Sequence, residues 1–144
     1  MAAAMRKSEV YFVDKIERFV EANLIGIELS ESPKAAVLAF RDSSGKPFFL
    51  KGIHLHRFFV SEFRESNIVD RLNFWDSSAN IDSFREPLCW LVSGQNDPEN
   101  PDWKRAIETE VESIKDGNHV FANIEAIYGA QVLMLAERFI LFEQ

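Results

Sequence analysis

Two histidines stand one residue apart in the stretch GIHLHRFFVSEFRE, 52–65, and that spacing is the most chemically pointed feature of the chain. On an extended backbone, side chains two apart share a face, so His54 and His56 could grip one metal ion together. A catalytic zinc would need a third protein ligand, for which His119, Glu62 and Asp70 have suitable side chains. Nothing in the spacing brings them to the pair. The favoured expectation is that Ile53, Leu55 and Phe58 face a core while both imidazoles face solvent, with no cofactor bound. A metal-binding protein or metal-assisted enzyme built on His54 and His56 is the alternative.

Other reactive constellations are weaker. The single cysteine, Cys89, lies in LCWLV, apolar surroundings that keep a thiol protonated and unreactive. There is no Gly-x-Ser-x-Gly elbow, and the six glycines at 26, 45, 52, 94, 117 and 129 never form a phosphate-cradling loop. Glu108, Glu110 and Glu112 alternate along a helical pattern beside Lys104, Arg105 and Lys115, which reads as an exposed, solubilising face. No catalytic residue is assigned.

Tryptophan is enriched where proteins bind one another. Trp90, inside LCWLV, is expected to be buried, and Trp103 to cover a sheet at the start of its helix. Trp75, at the end of a strand running into DSS, is the candidate anchor. Asp76, Asp82, Asp97, Glu99 and Asp102 lie in or beside the two longest connections, and with Trp75 they make a candidate partner-binding surface for a basic protein.

These residues need a scaffold. Val10, Phe12, Val13, Ile16, Phe19 and Val20 recur at helical spacing behind Ser8, predicting an amphipathic helix over 8–22. Segments 24–31, 35–42 and 47–53 are short and punctuated by turn residues, the last two as a β-hairpin. The histidine segment follows as a further strand or irregular edge, and 66–75 alternates as another strand. PLCWLVSG, 87–94, reads as a buried strand from its apolar run. Asn100 and Pro101 open a second helix over 101–116 that stops at Gly117. In 120–142, Gly129 disfavours one long helix, so two strands hinged at Tyr128 and Gly129 are predicted.

The fold expected is therefore α+β in one domain, 1–144, with residues 1–6 frayed: a curved or barrel-like, mainly antiparallel sheet packed against helices at 8–22 and 101–116. With 144 residues, 47% of them hydrophobic, the chain can bury one ordinary core. Sixteen Lys and Arg stand against 23 Asp and Glu, a net charge of −7 that opposes binding to nucleic acid and anionic membranes. No bilayer-length apolar run or hydrophobic leader is present, so a cytoplasmic protein is expected. The expected function is non-enzymatic binding of a basic protein, in its most concrete form an immunity-type protein that neutralises a basic toxin such as a nuclease. A small-ligand carrier using the interior of the curved sheet is a further alternative.

Overall fold

The computed structural model describes residues 13–143. A 3-10 helix at Val13–Phe19 leads into β1 (Asn23–Glu31), β2 (Lys34–Arg41), β3 (Pro47–Ser61) and β4 (Ile68–Trp75). Two helices follow, α1 (Ile81–Ser93) and α2 (Pro101–Lys115), then β5 (Val120–Tyr128) and β6 (Gln131–Phe142). Neighbouring strands are antiparallel in the order β1-β2-β3-β6-β5-β4, and the sheet curves until β1 meets β4 at Asn23 and Ile68. The fold is α+β, as the sequence predicts.

Alternation sorts the side chains into two layers. Inside the curve lie Leu38 and Phe40 of β2, Phe48 and Leu50 of β3, Val120, Ala122 and Ile124 of β5, and Val132, Met134, Ala136 and Phe139 of β6. Phe19 enters this interior from the 3-10 helix, its ring edge-on to Phe40 and Phe48 with centroids 5.1 Å from each. The interior, where a carrier would hold its ligand, is thus filled by aromatic and aliphatic side chains. Outside the curve, Phe121, Leu133 and Leu135 pack against Phe84, Leu88, Cys89, Ile107, Val111 and Ile114 of the two helices.

β3 is the long spine. It runs unbroken from the predicted hairpin through the histidine segment, which is neither a separate strand nor an edge, because β6 pairs it from Phe49 to Ser61. The inward residues step from Gly52 to Leu55, so Gly52 rather than Ile53 accompanies Leu55 in being buried, and His54 at the shift has φ 54°. A bulge between Leu55 and Arg57 re-aims the strand again.

The seam between β1 and β4 is stapled by Asn67, 2% exposed. Its Oδ1 accepts from the Arg64 and Ala130 amides at 2.8 and 3.0 Å, and its Nδ2 donates to the Leu24 and Arg64 carbonyls at 3.0 and 2.8 Å. That uses the full capacity of one carboxamide to tie three chain segments.

Three predicted elements need correction or trimming. Segment 87–94 is not a strand but the second half of α1: Asn80 caps that helix by accepting from the Asp82 amide, and Phe84, Leu88, Cys89, Leu91 and Val92 are buried at helical spacing. Over 8–22, residues 8–12 lie outside the described residues, and the remainder is a 3-10 helix that ends at Phe19. The helix cannot continue because Glu21 has φ 62° and the Val69 main chain takes up Glu21 and Ala22 in hydrogen bonds of 2.9 Å. The 101–116 helix is found at Pro101–Lys115 with Asn100 as its cap.

Candidate functional site

A groove lies where α1 crosses the outer face of the sheet. β5 presents Phe121, Asn123 and Glu125 outward in succession, grading from apolar to charged. Its neighbour β4 sets Trp75 opposite Phe121 and Asn73 opposite Asn123. Phe121 is covered by the helical layer, whereas Asn123 and Glu125, with Gln131 of β6, floor an open hollow of about 410 Å³. One flank of α1, Ser83, Glu86, Pro87 and Trp90, walls it. Those positions are spaced i, i+3, i+4, i+7 and turn away from Leu88 and Val92.

Polar contacts hold the floor in place. Asn73 Nδ2 donates to Glu125 Oε2 at 3.0 Å and Gln131 Nε2 donates to Asn123 Oδ1 at 3.2 Å. A second hollow of about 270 Å³ shares Glu125 and Gln131 and is completed by Ser61, Glu62, Ala126 and Gly129. Taken together as one trough, the two are lined by Glu86, Glu125 and Glu62 and by no lysine or arginine, while Arg64 pairs with Glu62 at 3.2 Å and Arg71 stands 3.8 Å from Glu125 outside that lining.

Of the predicted partner-binding residues, Trp75 alone is among those lining the two hollows. It rests on Phe121 and Phe84 with centroids 5.2 and 6.1 Å away. Asp76 follows directly, its Oδ1 accepting from the Ser78 amide and hydroxyl, and Asp82 sits in the first turn of α1. Asp97, Glu99 and Asp102 lie beyond the other end of α1, a helix of 13 residues and so about 20 Å long. Glu99 pairs with Lys104 at 3.4 Å. The acidic side chains thus form two groups, one at the start of α1 and one in the connection after it running into α2.

Two tryptophans are not where the sequence suggests. Trp90 is 36% exposed rather than buried, because helical rotation turns it opposite to Leu88, and it tilts against Phe59 at 6.5 Å. Trp103 is 38% exposed in the first turn of α2, whose buried side begins only at Ile107.

The histidines lie elsewhere, His56 and His119 against α2 and His54 against β6. His56 Nε2 lies 2.9 Å from Glu110 Oε2, the Arg57 guanidinium donates to that same oxygen, and His54 Nδ1 lies 3.1 Å from Glu137 Oε1. His56 stacks on His119 with centroids 4.7 Å apart, and His119 Nδ1 is 3.0 Å from Ser113 Oγ. Glu110 is therefore not on an exposed face as predicted. It is 2% exposed on the core side of α2 with Ile107, Val111 and Ile114, tolerated there because Arg57 and His56 meet it. Burial, followed by the neighbouring His56, lowers the His119 pKa from its ordinary value. Each imidazole has its own partner, and among the described residues no three His, Cys, Asp or Glu side chains are grouped to hold a metal ion. Cys89 is buried, with its thiol donating to the Gln95 carbonyl at 3.1 Å.

Compared with protein-family models, curated proteins and solved structures, the chain matches none of them. Among the described residues no helix is long and apolar enough to cross a membrane. The class defined by fold and site is thus a closed-in antiparallel sheet with a two-helix outer layer and an acidic, tryptophan-flanked trough.

Proposed function

We propose that the chain is a non-enzymatic protein-binding module that docks a basic protein, with the trough beside α1 as its anchor point. The carrying observation is the lining itself: Trp75 and Trp90 beside Glu86 and Glu125, with no cationic side chain among the lining residues. Tryptophan faces and carboxylates together favour lysine and arginine, through cation–π attraction and charge-assisted hydrogen bonds. Asp76 and Asp82 at one end, and Asp97, Glu99 and Asp102 at the other, extend the same sign of charge and would steer a cationic surface toward the trough. The immunity-type form of this reading, a cytoplasmic neutraliser of a basic toxin such as a nuclease, rests on the net charge of −7. The metal reading of His54 and His56 gains no further support, since each ring has a separate carboxylate.

The test is to recover the partner by affinity capture from cells that make the chain, then titrate the purified pair at low and high ionic strength. The expected result is a one-to-one complex with a cationic protein whose association slows about tenfold or more with added salt. An affinity indifferent to salt would sink the reading.

A further inference from the structure

The trough carries a donor that a bare cation would leave unused. Asn123 is 5% exposed and lines the larger hollow. Its Oδ1 is taken by Gln131, while its Nδ2 has no acceptor among the described residues. No buried side-chain nitrogen or oxygen is left unpaired there, so this Nδ2 opens onto the trough. A ligand that displaces solvent from this amide must supply an acceptor of its own, such as a carbonyl oxygen.

Carboxylates set the opposite demand. Asn73 fixes Glu125 through Oε2, and Arg71 stands 3.8 Å from that same oxygen, which leaves Oε1 for a ligand donor. Glu86 is exposed on the wall, whereas Glu62 in the second hollow is already paired with Arg64 at 3.2 Å. A ligand lying along the trough thus meets one amide donor and two carboxylates, Glu86 and Glu125, and fits best if it is elongated and carries both a neutral acceptor and cationic groups. A peptide in extended conformation meets all three demands, since its carbonyls accept and its alternate side chains project to one side about 7 Å apart. Polyamines lack the acceptor, and neutral oligosaccharides have no use for the carboxylates' charge.

We infer that the trough takes an extended segment of the partner's chain, held by a main-chain carbonyl on Asn123 and by arginine or lysine side chains on Glu86 and Glu125. This inference rests on the basic-partner reading above and specifies what part of the partner is read.

Titration of the tryptophan fluorescence with a capped pentapeptide of alternating glycine and arginine tests it, with spermidine and a neutral glucose oligomer as the comparison probes. The peptide should saturate one site more tightly than spermidine. Glu125→Gln should weaken it about tenfold, and Asn123→Ala several-fold while leaving spermidine unchanged. Glu86→Gln, at an exposed position outside the core, gives a variant whose folding is not at risk and should weaken the peptide too. Equal binding of spermidine and peptide, unaltered by Asn123→Ala, would overturn main-chain recognition yet leave a basic partner standing. Preference for the oligosaccharide would overturn it as well. If none of the probes binds while the captured partner still binds in a salt-sensitive way, the trough is the wrong site; if the partner's binding also ignores salt, the functional reading falls with it.

Discussion

Glu110 gathers Arg57 and His56 at the junction of α2 with β3. Its two partners are themselves part-exposed, at 34% and 45%, so removing the carboxylate lets them hydrate instead of stranding them. Glu110→Ala should then cost about 1–2 kcal/mol, below the loss expected for a fully buried pair, and urea unfolding would measure it. The neighbouring His119 adds a pH dependence. Burial, followed by the charge of the neighbouring His56, favours its neutral form, against the opposing pull of Glu110 and Glu137. A lowered folded pKa means that below 6.5 the unfolded chain binds the proton more readily. Stability should hold above that pH and fall as pH drops from it toward the folded value, and His119→Asn should flatten this slope in urea titrations across the range. Sequence reasoning saw the histidines but not this arrangement, because His56 meets Glu110 across 54 positions.

Elements were legible wherever a local signal marked them. Asn100 and Pro101 announce α2, the turn residues between 42 and 46 announce the β2–β3 hairpin, and Gly129 announces the turn from β5 to β6. That last turn is demanding: Gly129 has φ 88°, and a Cβ there would lie 2.4 Å from Asn67 Oδ1 and 2.7 Å from the Ser66 carbonyl. Gly129→Ala should destabilise the fold by about 2 kcal/mol or more, read as a lowered melting temperature, since it also disturbs the carboxamide that ties the seam. α1 was illegible for a local reason as well. LCWLV is a continuous apolar run that a strand and a helix share, and the helical spacing appears only when Phe84 is included and Asn80 is read as a cap. With α1 taken for a strand, the flank bearing Glu86 and Trp90 could not be seen. The floor needed more still, the β4–β5 register that sets Asn73 beside Asn123.

Across the whole molecule the charge of −7 acts at a distance while the trough acts on contact. The two should separate kinetically. Replacing Asp97, Glu99 and Asp102 by their amides should lower the association rate and the salt sensitivity with little change in dissociation, whereas Glu125→Gln should chiefly speed dissociation, both by surface-binding kinetics with the captured partner. The layered build has another outcome. The chain has one cysteine, and it is sealed between α1 and the sheet at 0% exposure. A thiol-specific alkylating reagent can therefore reach Cys89 only when α1 lifts, so the modification rate clocks that breathing motion without any engineered label. A ligand clasped along α1 would slow the clock.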